Sequence, residues 1–288
     1  MNTSPPAPQG TGATARDPVV LVNEGQKLIG VVHRPAGGAE AALPAVLILH
    51  GLVGSKDQPH QLYVKLAEAL ARAGMLSLRI DLRGRGDSEG ETVDVTPDAD
   101  LSDAAKALDY LAGHPAVDST RLAVVGHSWG GTLAACLAGR DPRVSCVVMW
   151  GSVPGGPRHW MPEFREIDGR QVAELWGNLL GRAFFEEWRT IHTLDELTKA
   201  GVPLLILCGT QDEEARGIEE AGQALARAGV PHEVVTIDGA DHVFMRYEWE
   251  REAIERTVAW LRRSLPSGVG GTAGGTRVAD WLETPTGR

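Results

Sequence analysis

Cysteine is scarce: the chain of 288 residues has three, an odd number with no close pair. That excludes a disulfide framework and a zinc ligand set. No histidine or cysteine cluster has ligand spacing either, so neither a metal nor a cofactor is implied. Basic residues are outnumbered, 28 against 38 acidic ones, for a formal charge of -10. A phosphate backbone would be repelled, and with no basic stripe to offset the balance, nucleic acid is not an expected partner. Long apolar runs are missing too. Nothing approaches the 18 or so uninterrupted apolar residues of a membrane helix, and residues 1–17 hold no apolar stretch fit for a signal-peptide core. The expectation is a protein of a reducing, cytoplasmic compartment that does not enter membranes.

Glycine is in excess, 35 residues, or about 12% against a usual ~7%. Five of them fall in 266–276, a flexible-linker composition. Within it, 268–273 matches a relaxed dinucleotide fingerprint, but it follows a charged helix end and opens no clear helix, so it reads as linker. Residues 277–282 could add a short helical turn. With 43% hydrophobic and 23% charged residues the chain can bury a sizeable core. We expect a compact body over 18–264 between two loose ends, 1–17 and 265–288.

Within the body, short apolar β-branched runs alternate with longer helical patterns, the sequence form of a mainly parallel sheet flanked by helices, an α/β fold. Runs at 19–22 and 28–32, separated by Asn23 and Gly25, predict an edge hairpin. Strands are then expected at 45–49, 75–80, 122–125 and 144–150, with helices at 62–73 and 101–112. After 150 the rhythm stops for about fifty residues, 151–201, which predicts an inserted lid. A strand at 203–208, a helix at 217–228, a strand at 232–237 and a helix at 249–261 complete the body. Cys136, Cys146 and Cys208 fall in apolar segments and read as core.

Gly126-His127-Ser128-Trp129-Gly130 has the nucleophile-elbow pattern, a serine on a sharp strand-to-helix turn. The strand run before it and the Ala/Leu-rich segment after it supply the required context. An activated serine needs a base and an orienting acid, in the chain order Ser, Asp or Glu, His. Asp212 follows the 203–208 strand and His242 follows the 232–237 strand, so both loops should lie on the sheet edge that carries Ser128. Asp238, Asp241, Glu213 and Glu214 are rival acids; the first two are close enough to His242 in sequence to shape its loop instead. An oxyanion needs two fixed donors. The backbone N–H of Trp129 would be one, and that of Leu52, in His50-Gly51-Leu52-Val53-Gly54 after the 45–49 strand, the other. His50 is expected to brace that loop. His33, His60, His114, His159, His192 and His232 have no comparable context.

Those elements in this order resemble the α/β-hydrolase superfamily over nearly all of 18–264. The loop Asp81-Leu82-Arg83-Gly84-Arg85-Gly86-Asp87-Ser88-Glu89-Gly90 is similar to that superfamily's Asp-x-Arg-Gly-x-Gly-x-Ser turn. Together with His50 to Lys56 and Pro59-His60, it resembles the bacterial cinnamoyl and feruloyl esterase branch. That resemblance implies an α/β-hydrolase fold with a lid after the sixth strand. It further implies a carboxylic ester hydrolase, and the leading expectation is a serine carboxylesterase acting on small to medium, uncharged, in some cases aromatic, acyl esters. The sequence departs from the branch at Leu52, where phenylalanine is usual, and at Trp129, bulky for its position. Thioester or peptide cleavage by the same residues, and a non-catalytic ligand-binding protein of this fold, are the alternatives. In the lid, Trp160, Trp176, Trp188, Phe164, Phe184 and Phe185 could line an acyl pocket or pack the lid onto the body.

Overall fold

The computed structural model describes residues 13–37, 42–155 and 161–266. The expectations for residues 1–12, His159, Trp160, the 268–273 fingerprint and the 277–282 turn lie outside the described residues. The chain opens with an antiparallel pair, β1 (Thr14–Asn23) and β2 (Gln26–Pro35). Glu24 and Gly25 both take positive φ, 49° and 82°, as a two-residue turn matched to strand twist requires. β1 starts inside the segment expected to be loose. Polar Arg16 and Asp17 interrupt the apolar run there, yet Asp17 is held by Arg34 at 2.8 Å, and Pro18 is tolerated because β1 is an outer strand.

β3 (Leu43–Leu49), α1 (Leu62–Arg72), β4 (Leu76–Ile80), α2 (Pro97–Ala112), β5 (Val117–His127), α3 (Trp129–Arg140) and β6 (Val144–Trp150) follow. α2 begins four residues before its first expected position. Thr96 caps it, accepting the Ala99 N–H at 3.2 Å, and Pro97 occupies the first turn, where no N–H is needed.

The eight-stranded sheet is completed by β10 (Leu204–Gly209) and β11 (His232–Ile237), in the order β1-β2-β4-β3-β5-β6-β10-β11. Only the β1–β2 and β2–β4 pairings are antiparallel. The parallel strands therefore send their carboxyl ends to one edge. Both faces of the sheet are covered. In β3, Ala45, Leu47 and Leu49 join a core shared with α2 and α3, whereas Val46 and Ile48 join a second core with α1 and α7 (Tyr247–Ser264). That two-sided burial is why the central strands read as unbroken apolar runs.

Between β6 and β10 the insertion forms a three-stranded antiparallel sheet, β7 (Arg165–Ile167), β8 (Arg170–Leu175) and β9 (Asn178–Gly181), followed by α4 (Arg182–Trp188). α5 (Thr193–Ala200) lies against α3, at an approach so close that a Cβ on Gly139 would stand 2.7 Å from the Glu196 carbonyl. It is a crossover helix of the sheet, which shortens the inserted part at its carboxyl side. α6 (Ile218–Arg227) connects β10 to β11. At the far end Leu265 is buried and Arg121 donates to the Pro266 carbonyl at 2.7 Å. The body thus reaches slightly beyond residue 264.

Candidate active site

β5 delivers His127 and, immediately after it, Ser128, whose φ of 54° and ψ of -117° are unusual for a residue with a side chain. Such a conformation costs on the order of 1–3 kcal/mol and persists only where the surroundings over-determine it. They do so through close backbone packing. A Cβ on Gly126 would lie 2.0 Å from the Gly130 carbonyl oxygen, and one on Gly130 would lie 2.2 Å from that of Leu49. The Ser128 N–H donates to the Trp150 carbonyl at 2.7 Å, which ties the turn to β6.

Asp212 and His242 arrive on the loops after β10 and β11. The His242 Nδ1 stands 2.9 and 3.0 Å from the two Asp212 carboxylate oxygens, and the Asp212 side chain is fully buried. A carboxylate only accepts, so it holds the ring proton on Nδ1 and leaves Nε2 as the basic nitrogen. Gly151, at φ 52°, gives this pair room: a Cβ there would sit 2.9 Å from the His242 Nδ1. Three of the rival acids have partners other than His242, and the fourth meets Asp212 through its backbone. Asp241 accepts the N–H groups of Val243 and Met245, both at 3.1 Å, shaping the His242 loop. Asp238 is exposed and meets Thr210, Glu213 pairs with Arg216, and Glu214 donates its N–H to Asp212.

Sequence reasoning passed over His127. Its Nε2–H donates to the His242 carbonyl at 2.8 Å, and the two ring centroids lie 4.8 Å apart. The residue before the candidate nucleophile thus holds the backbone of the candidate base. Burial, then the neighbouring His242, pushes the His127 pKa down to about 3, so it stays a neutral donor at physiological pH. Its place beside Ser128 was the only signal for this role.

Leu52 is half-buried on the loop after β3. His50 braces that loop: its Nε2 accepts the Leu82 N–H at 3.1 Å, which leaves the proton on Nδ1 to donate to the Gly51 carbonyl at 2.7 Å. The Gly51 carbonyl and the Leu52 N–H belong to one planar peptide, so this bond sets where the Leu52 N–H points. Burial, then the Arg85 charge, keeps the His50 pKa low and the ring neutral. Asp81, also buried, accepts from the Lys56 N–H at 2.5 Å, the Lys56 Nζ at 2.7 Å and the Asp87 N–H at 2.9 Å. The 50–57 and 81–90 loops are therefore locked to each other.

Trp129 opens α3, where a backbone N–H has no partner within the helix and forms part of the positive end of the helix dipole. Its indole donates to Asp100 at 2.8 Å and packs edge-on against Phe184 at 5.0 Å and Trp188 at 5.8 Å. Phe184 and Phe185 are fully buried and Phe164 lies against Phe185, whereas Trp176 is 79% exposed. These rings pack the lid onto the body. Among the described residues no group of histidine, cysteine, aspartate or glutamate could hold a metal ion, and no helix is long and apolar enough to cross a membrane.

A family model described as the alpha/beta hydrolase fold matches residues 44–179. The chain is 31% identical over 106 residues to polyketide transferase ATR5 of Stachybotrys chlorohalonatus, a match covering 36% of this chain and 35% of that protein. It is 37% identical over 106 residues to the sn-1-specific diacylglycerol lipase ABHD11 of Mus musculus, covering 36% and 31% respectively. The matched stretch thus spans about a third of each of these relatives. Among solved structures, ferulic-acid-bound Est1E from Butyrivibrio proteoclasticus superposes with a TM-score of 0.73 at 22% identity, covering 85% of this chain and 98% of that one. The sheet order, the insertion after β6 and the matched model show the α/β-hydrolase fold, and the proteins the chain resembles include an esterase and a lipase.

Proposed function

We propose that this chain is a serine carboxylesterase that hydrolyses small to medium, uncharged acyl esters through an acyl-enzyme. The observation that carries the proposal is the buried Asp212 carboxylate on the His242 Nδ1, 2.9 Å away, in a loop tied to the residue next to Ser128. Ser128 Oγ attacks the ester carbonyl while His242 Nε2 takes its proton, and the same nitrogen returns that proton to the departing alkoxide. Asp212 holds the tautomer and stabilises the imidazolium. The N–H groups of Leu52 and Trp129 receive the oxyanion in both tetrahedral steps. Water, activated by the same imidazole, then releases the acid and frees Ser128.

Aromatic acyl groups are a natural trial set, since one similar structure holds ferulic acid. Phe184 and Phe185 of the lid are buried in packing, so the trial set rests on that similarity alone. Ser128→Ala should lower kcat on p-nitrophenyl butyrate by ~10⁴–10⁶, with a fluorophosphonate probe labelling the wild-type chain and not the variant. A variant keeping a tenth of the activity, or a wild-type chain that resists the probe, would sink the proposal.

A further inference from the structure

The two backbone N–H groups assigned to the oxyanion come from separate segments, the loop after β3 and the first residue of α3. A hole built this way works only if both segments are held in fixed relation. One buried carboxylate joins them. Asp100, on α2, has no exposed surface; its Oδ2 accepts the Trp129 indole N–H at 2.8 Å. The guanidinium of Arg85, 4% exposed, grips the same carboxylate with both terminal nitrogens, at 2.6 and 2.7 Å. Its remaining Nε–H donates to the Leu52 carbonyl at 3.0 Å, and Nη1 also reaches the Arg83 carbonyl at 2.9 Å.

The chain of contacts therefore runs from the Leu52 carbonyl through Arg85 and Asp100 to the Trp129 side chain. His50 holds the peptide that carries the Leu52 N–H, and Arg85 holds the next one, so two successive peptides of the loop are pinned. On the other side, the indole is gripped at its nitrogen by Asp100 and at its ring by Phe184 and Trp188 of α4. A buried ion pair is a poor investment in stability, since apolar residues of similar volume often serve as well. A fork-shaped cation with all three nitrogens engaged is, however, well suited to fixing geometry. Oxyanion stabilisation depends on donors already in place when charge develops.

We infer that Arg85 and Asp100 are positioning residues that hold the Leu52 and Trp129 N–H groups in register for the oxyanion. The inference rests on the esterase reading. It also accounts for the bulk at position 129, because only tryptophan joins an apolar ring for the lid to a nitrogen donor for Asp100.

Two variants test it, each checked for a cooperative thermal melt. Trp129→Phe keeps a ring against Phe184 and Trp188 but deletes the indole N–H. The double variant Arg85→Met with Asp100→Leu removes the ion pair without stranding either charge. Both should lower kcat on p-nitrophenyl butyrate by about 10- to 100-fold, less than the ~10²–10³ that loss of a donor itself costs, with KM within about twofold of wild type. Inhibition by phenylboronic acid, whose tetrahedral adduct occupies the oxyanion hole, should weaken by a similar factor. Combining all three substitutions should cost little more than the double variant, because the residues act as one unit.

Folded variants with wild-type kcat and boronate inhibition would overturn the inference, as would a raised KM at unchanged kcat, which would assign these residues to substrate binding. If the double variant does not fold, Trp129→Phe decides alone. A wild-type chain that fluorophosphonate does not label would overturn the esterase reading and this inference with it. A labelled wild type with unaffected variants overturns this inference only.

Discussion

His33 lies on β2 with no exposed surface, its Nε2 accepting the Arg79 Nε–H at 2.9 Å. Burial, then the Arg79 charge, lowers its pKa to about 4. An unfolded histidine titrates near 6.5, so below that pH the unfolded chain takes up a proton that the folded chain refuses. Stability is therefore full above about pH 6.5 and falls with pH down to about 4, at up to ~1.4 kcal/mol per pH unit for this one group. His127 adds to the same trend from its still lower value. Urea unfolding at pH 7 and pH 5 should show the loss, and His33→Gln, which keeps an acceptor for Arg79, should reduce it by about 1–2 kcal/mol. An unchanged loss in that variant would show that His33 is protonated in the folded state.

At the level of elements, the elbow and the lid follow different rules. The elbow is local, and Gly126 and Gly130 are dictated by backbone contacts that leave no space for a side chain. Gly130→Ala should destabilise the protein by several kcal/mol or prevent soluble expression, because the clash is with the Leu49 carbonyl rather than a movable side chain. Thermal denaturation of the purified variant checks this; a wild-type melting temperature would contradict the packing. The lid is not local. Its aromatic residues are visible in the sequence, but α4 turns Phe184 and Phe185 inward while Trp176 sits exposed at the turn between β8 and β9. Helical spacing in seven residues is too short to show which face is covered. The crossover helix α5 was hidden for a related reason, lying directly after the insertion without a strand between them.

Across the whole molecule the sheet separates two cores, and the three cysteines are divided between them. All are buried, and burial raises every thiol pKa, to about 12 for Cys136 and Cys208. Thiolate is the reactive form. Native protein should therefore resist Ellman's reagent, and 6 M guanidinium should expose all three thiols; rapid reaction of a thiol in native buffer would show local opening on the timescale of the assay.

The strands of the main sheet, its helices other than α5, the α/β class and the elbow at Ser128 were legible from sequence alone. Each follows from neighbours within about ten residues: apolar runs for strands buried on both faces, spaced glycines for a crowded turn. The acids illustrate where such reasoning stops. Asp212, Asp238 and Asp241 all follow strands ending at the same sheet edge, and spacing could favour one but not bring it to His242. Tertiary structure decided that contact, across 30 residues of chain, together with the reach of His127 to the His242 carbonyl across 115. It also joined Arg85 and Asp100 to Trp129. An acidic residue such as Asp100 among the apolar positions of α2 is a recognisable oddity in sequence, but its partners are set by how α2, α3 and two loops pack, and pairwise distance between remote segments is not written in local pattern.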